Sequence, residues 1–208
     1  MKTRKLLIAL VLGMGTATAW AGETEEKPLY KDSLAPIESR VEDLLRRMTL
    51  HEKTLQLQNR PVGRIDEIES IFQGQSYGCT HEMGKTAEEC AGIYNELQKY
   101  MLTKTRLGIP ILTAVEGIQG ILQNNSTLFP HSIAQGSTFN PELIERMTDA
   151  AGKEAAAMGI HQVLSPVFDI ARELRWGRVE ETYGEDPFLI SEMGIGFVKG
   201  YQKHQITC

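Results

Sequence analysis

Cysteine is scarce in this 208-residue chain: three residues, at positions 79, 90 and 208, none of them in a Cys-x-x-Cys pair. The five histidines, at 51, 81, 131, 161 and 204, show no His-x-x-x-His spacing. Both gaps exclude the usual zinc ligand patterns. A Gly-x-Ser-x-Gly elbow is missing as well, which removes the common serine-hydrolase route. Gly194, Gly196 and Gly200 lie inside a helical segment and not at its start, so they are no dinucleotide fingerprint. Basic residues are in deficit, 22 Lys and Arg against 27 Asp and Glu, for a formal net charge of -5. That balance argues against nucleic acid and anionic membrane surfaces as partners. No apolar run approaches the roughly 20 residues of a membrane span. Internal repeats and low-complexity tracts are not evident.

What is there begins with an export signal. Lys2, Arg4 and Lys5 precede an apolar run from Leu6 to about Met14, and Ala19-Trp20-Ala21 supplies a small-x-small cleavage site. This pattern predicts a signal peptide over residues 1–21 and a periplasmic or extracellular mature chain starting near Gly22. In that setting Cys79 and Cys90 could pair across a short loop; equally, Cys90 could lie on the buried face of a helix and stay reduced. The apolar segment ending on Cys208 reads as a strand interrupted by the end of the chain.

Residues 22–36 are polar, with Pro28 and Pro36, and read as an extended lead-in. Ile37, Val41, Leu44, Leu45 and Met48 then recur at helical spacing. Thr49 with Glu52 forms a capping box that restarts a helix carrying Leu50, Leu55 and Leu57. Residues 60–85 have no clear period and read mostly as loop, with one helical turn around Ile65 to Phe72. A second capping box, Thr86 with Glu89, opens a helix whose apolar face is Cys90, Ile93, Tyr94, Leu97 and Met101. Leu-Gly-Ile-Pro at 107–110 ends it and leads into a short buried strand, Ile111 to Val115. Asn140-Pro141 starts a helix that Gly159 stops, and a strand follows from His161 to Leu164. Asp186-Pro187 starts another helix reaching about Lys203, and Gln205 to Cys208 begins a further strand. Alternating strands and helices of this kind predict an α/β fold with a parallel sheet. A complete (β/α)8 barrel needs about 250 residues. Residues 37–208 are therefore expected to form an incomplete TIM-type barrel of three or four strands behind an N-terminal helical lead-in.

The most informative run is residues 169–187, Asp-Ile-Ala-Arg-Glu-Leu-Arg-Trp-Gly-Arg-Val-Glu-Glu-Thr-Tyr-Gly-Glu-Asp-Pro. It places three arginines, several carboxylates and two aromatics around two glycines, just after a strand. A solvated loop has no need of Trp176 and Tyr183, and a core segment could not absorb so many charges unpaired. Arginine forks beside carboxylates and aromatic faces suit a polyhydroxylated ligand such as a sugar. The run resembles the signature of glycoside hydrolase family 3, the β-glucosidases and β-xylosidases, usually written Ala-Arg-Asp-Pro-Arg-Trp-Gly-Arg followed by Gly-Glu-Asp-Pro. Glu116-Gly117-Ile118-Gln119-Gly120 resembles the family's Glu-Ala-Ile-His-Gly loop, departing from it at Gln119, where His is common. The resemblance extends from Ile37-Glu38-Ser39-Arg40-Val41-Glu42-Asp43-Leu44-Leu45 to Gly200-Tyr201-Gln202.

Several expectations follow from that resemblance. It implies a retaining β-glucosidase-like hydrolase without metal or cofactor, acting on oligosaccharides or aryl and alkyl β-glycosides. A β-xylosidase of the same family and a noncatalytic sugar-binding fragment are the alternatives. Glu116 and Arg178 are the expected glycone contacts, since charged partners strengthen hydrogen bonds to sugar hydroxyls. Trp176 reads either as a stacking platform or as a residue buried against the barrel. Arg175 and Arg172 are expected to brace the loop through Glu180, Glu181 or Glu185. Asp186 reads as a helix cap and Asp169 as a loop brace. Lys203-His204 precedes the strand on which the family carries a sugar-binding Lys-His pair, so it reads as a surface pair. The nucleophile and the acid/base are expected beyond Cys208.

Overall fold

Four helix starts were written into the sequence as capping signals, and all four form. The computed structural model describes residues 27–208, and the expected signal peptide lies outside the described residues. The chain divides into two units, one ending at Arg46 and the other running from Arg47 to Cys208. Helix α1 spans Ile37–Arg47, all but its last residue within the first unit. The lead-in before it is not wholly extended: Leu29–Lys31 makes a 3-10 turn. That turn is drawn onto α1 because the Tyr30 N–H donates to Asp43 Oδ2 at 3.1 Å and Arg40 Nε donates to the Tyr30 carbonyl at 3.2 Å.

The second unit opens with α2, Leu50–Leu55. At its start, Thr49 Oγ1 accepts from the Glu52 N–H at 3.2 Å and Glu52 Oε2 accepts from the Thr49 N–H at 2.8 Å. The same reciprocal box, Thr86 with Glu89, starts α4 at Ala87–Lys104. Between them lie the short α3, Ile68–Phe72, and strand β1, Cys79–His81. Strand β2, Leu112–Val115, follows α4. Its entry is pinned by Gln98, whose side-chain amide bonds both the carbonyl and the N–H of Ile111 at 2.6 and 3.2 Å. A one-turn helix α5, Ser132–Gly136, precedes α6, Pro141–Ala157, which Asn140 caps. Strand β3 is Gln162–Val163, and α7, Pro187–Gln202, is capped by Asp186.

The three strands form one parallel sheet in the order β1-β2-β3, with Cys79 opposite Leu112 and Ala114 opposite Gln162. Single parallel bridges extend the ladder at both edges, Asn59 beside Cys79 and Thr207 beside Gln162. The segment after α7 thus starts a further parallel pairing, as expected of a barrel built strand by strand. Helix α7 lies close on α6 because its glycines leave room. A Cβ at Gly196 would run into the Pro141 carbonyl, and one at Gly200 into Thr148 Oγ1 and the Glu145 carbonyl.

Alternation along the strands separates two faces. Thr113, Val115 and Val163 are buried, and the two valines join the core cluster with Leu97, Ile144 and Phe197 of the helices. The opposite face carries Leu112 and Leu164, which remain 39% and 45% exposed, with the small Ala114 between them. In a closed barrel that face is the interior. The cysteines are all free: Cys90 is buried in the helix-side core, and Cys79 and Cys208 are half-buried. Of the two sequence readings, the reduced Cys90 on a buried helix face is the one the fold adopts.

Candidate functional site

Glu116 comes one residue after β2 and shares the parity of Leu112 and Ala114, so it sits at the carboxyl end of the sheet on the barrel-interior side. The loop after it is braced from several directions. The Leu122 N–H donates to the Glu116 carbonyl at 3.1 Å, and the Phe129 N–H to the Gln119 carbonyl at 2.8 Å. Gln123 ties the loop to the end of β1, accepting from the Lys85 N–H and donating to the Glu82 carbonyl, both at 2.8 Å. Glu154 of α6 takes both the Thr127 N–H and its hydroxyl, at 3.0 and 2.7 Å. Gly120 adopts a φ of +101°, and a side chain there would strike the Thr127 carbonyl.

Arg178 ends the Arg-Trp-Gly-Arg motif and immediately precedes a 3-10 turn, Val179–Glu181. That turn brings Glu181 back onto it: Nε reaches Oε1 at 2.9 Å and a terminal nitrogen reaches Oε2 at 2.5 Å. The bidentate geometry holds the Glu181 carboxyl below the usual carboxylate range, with His131 adding a smaller pull in the same direction. The Arg178 pKa is raised, first by its hydrogen bond to Glu181 and then by the charges of Glu181, Asp169 and Glu116.

Glu116, Arg178 and Glu181 line one open cavity of about 320 Å³, together with Gln119, His131 and Leu164. The two residues expected as glycone contacts are thus brought together from segments after β2 and β3. Gln119 and His131 join them there beyond the two expected contacts. In the sequence Gln119 stands out only as a departure from the family loop, and His131 carries no signal beyond following Phe129-Pro130. The Gln119 side-chain oxygen is buried without a hydrogen-bond partner.

Other expectations fall differently. Arg175 does not brace the loop through Glu180, Glu181 or Glu185. It closes on Glu173, two residues away, through Nε at 2.9 Å and a terminal nitrogen at 2.7 Å. The Arg175 backbone N–H also donates to Glu173 Oε1, and the Glu173 carboxyl is pulled down to about 2 by this local pair. Trp176 is half-buried and does not line the cavity. Asp186 is a cap, accepting from the Phe188 N–H at 2.9 Å. Lys203 and His204 form a peripheral cluster with α6, Lys203 on Glu145 at 2.7 Å and His204 on Asp149 at 2.6 Å.

Residues 49–208 match the family described as Glycosyl hydrolase family 3 N terminal domain. The chain belongs to glycoside hydrolase family 3. A β-xylosidase of Formosa agariphila is 43% identical over 103 residues, covering 47% of this chain and 14% of that protein. The periplasmic β-glucosidase of Salmonella typhimurium is 33% identical over 162 residues, 78% of this chain and 20% of its own length. Among solved structures, a β-glucosidase from Erythrobacter marinus superposes with a TM-score of 0.73 at 29% identity, over 83% of this chain and 24% of that one. The chain spans less than a third of the length of the relatives it matches. Its fold is the opening part of the family 3 barrel. Among the described residues no helix is long and apolar enough to cross a membrane, and no cluster of potential metal ligands occurs.

Proposed function

We propose that this chain supplies part of the glycone-binding pocket of a retaining β-glycosidase, with β-glucosides as the substrate class. The observation carrying this reading is that Glu116 and Arg178 line one cavity at the carboxyl ends of adjacent parallel strands. Glu116 offers two acceptor oxygens and Arg178 the donors not engaged by Glu181, a complementary pair for vicinal sugar hydroxyls. Retaining hydrolysis requires a nucleophile and an acid/base about 5 Å apart. Those two groups belong to later segments of the enzyme, while the residues here hold and orient the sugar. Gln119, His131 and Leu164 stand on the same wall.

A β-xylosidase is the second reading, favoured by the 43% identity to the Formosa enzyme. The two sugars differ by one hydroxymethyl group, so the ratio of kcat/KM on aryl β-glucoside and aryl β-xyloside separates them. The basic, apolar and small-residue pattern of residues 1–21 supports export, as does the periplasmic relative. The test is steady-state kinetics of the enzyme that carries this chain, with Glu116→Ala and Arg178→Ala. Each variant should lose roughly 10- to 100-fold in kcat/KM. Wild-type efficiency in both would remove them from the site.

A further inference from the structure

One residue joins the two segments that carry the pocket's charged groups. Gly117, next to Glu116, donates its N–H to Ser165 Oγ at 3.2 Å and accepts at its carbonyl from the Tyr201 hydroxyl at 2.8 Å. The Glu116 carbonyl is itself taken by the Leu122 N–H at 3.1 Å. Both polar groups of the peptide between Glu116 and Gly117 are therefore engaged, and the following peptide is held by Tyr201. Space closes the remaining freedom: a Cβ on Gly117 would lie 2.6 Å from Val163 Cγ1 and 3.0 Å from the Tyr201 hydroxyl.

The two partners come from either end of the segment that presents Arg178. Ser165 follows β3 and begins the stretch leading to Arg178, and Tyr201 stands in the last turn of α7, the helix that follows that stretch. We propose that Ser165 and Tyr201 are positioning residues for glycone binding: by clamping Gly117 they set the Glu116 carboxylate relative to Arg178. This rests on the glycosidase reading above. Tyr201 is fully buried beside Phe197 in the core, where a phenylalanine would fill almost the same space. Its hydroxyl carries a desolvation cost that is offset by the bond to Gly117. Burial pushes the Tyr201 phenol well above its ordinary range, so it remains a donor at every working pH. Ser165 is likewise buried.

The experiment is a double-mutant cycle in the enzyme carrying this chain. Tyr201→Phe and Ser165→Ala are each made in the wild-type and Glu116→Ala backgrounds, with kcat, KM and thermal midpoint measured on the aryl β-glycoside that wild type turns over. Each single variant should lose about 3- to 10-fold in kcat/KM, mainly through KM. In the Glu116→Ala background the same changes should leave kcat/KM unaltered while lowering the thermal midpoint as before. Equal fold-losses in both backgrounds, or no loss in wild type, would overturn the positioning role. Absence of turnover by wild type on both glucoside and xyloside would overturn the glycosidase reading, and the clamp's role with it.

Discussion

Arg178 and Glu181 form a closed fork, with two parallel hydrogen bonds across three residues of one 3-10 turn. The side chain of Glu181 is 23% exposed and that of Arg178 59%, so the carboxylate is the more anchored member and the arginine the more available one. An arginine held along one edge keeps its remaining donors aimed in a fixed direction, which lowers the entropy lost on binding a sugar. Glu181→Gln should therefore raise KM for the glycoside by about 3- to 10-fold with a smaller change in kcat. Because the Glu181 carboxyl lies below its ordinary 4.5, the fork is complete above that pH and is lost only as pH falls through the lowered value. On acidification steady-state KM should thus rise more steeply in wild type than in the glutamine variant. A superimposable pair of profiles would dismiss the fork as an orienting device.

Glu52 makes a testable contribution to stability. It closes the α2 capping box and also receives Arg106 on both oxygens, at 2.8 and 2.5 Å. The Arg106 hydrogen bond, followed by those from Thr49, outweighs desolvation and pulls the Glu52 carboxyl from 4.5 down to about 2. A folded-state pKa below the unfolded one gives stability that is fully present above pH 4.5 and lost as pH falls toward 2. Arg106 is more than half exposed, so solvent screening discounts the ion pair and the cap dominates. Glu52→Ala, which removes the capping carboxylate, should cost about 1 kcal/mol at neutral pH. Urea unfolding at pH 7 and pH 3 should find the gap between variant and wild type narrower at the lower pH.

Much of this fold was legible because its signals are local. Thr49, Thr86, Asn140 and Asp186 announce their helices through bonds spanning two or three residues, and each bond forms. Glu116 and Arg178 were legible by resemblance, and the cavity brings them to one wall. Strand β1 was not: its three residues alternate half-buried, buried, half-buried within a stretch of mixed polarity, and long-range pairing with β2 defines it. The one-turn α5 carries too few residues to show a period. The Arg175–Glu173 pair is not legible in the sequence either, because several carboxylates stand within reach of Arg175 and only the local turn selects among them.

Gly117 should tolerate no side chain while Val163 stands opposite. Gly117→Ala puts its methyl within 2.6 Å of Val163 Cγ1, and overpacking of this kind costs about 1–3 kcal/mol. Val163→Ala alone should also destabilise, by opening space in the core. The double variant should recover only part of the summed loss, since removing the Val163 γ-methyls lifts the 2.6 Å contact while the Val163 Cβ at 2.8 Å still crowds the new methyl. Thermal midpoints of the four proteins check this, and strict additivity would show that the glycine is not confined by Val163.

The thiols should resist oxidation in the native state. Burial pushes the Cys90 thiol up to about 11 and raises Cys79 as well, leaving little thiolate to attack a disulfide or an alkylating agent. Brief iodoacetamide treatment without denaturant should leave Cys90 unmodified by peptide mass spectrometry, and oxidising conditions should yield no peptide linked through Cys79 and Cys90. Recovery of that linked peptide from folded protein would revive the paired arrangement.

The sheet face that carries Glu116 governs how residues 27–208 behave on their own. Leu112 and Leu164 stand 39% and 45% exposed there, on the side that a barrel turns inward. Fully burying a leucine is worth about 1.5–3 kcal/mol, so this face loses stabilisation that a closed barrel would gain, and it offers apolar surface to other molecules. The edges of the sheet are equally open to pairing, with single bridges at Asn59 and Thr207 as their outermost contacts. The isolated segment should consequently bind a hydrophobic dye, self-associate at micromolar concentration and show no turnover of aryl β-glucoside or aryl β-xyloside. Dye fluorescence, light scattering and a glycosidase assay on the purified segment, beside the longer enzyme, make the comparison. Turnover by the segment would place a working carboxylate pair within these residues and redirect the search for nucleophile and acid to Glu116 and its neighbours.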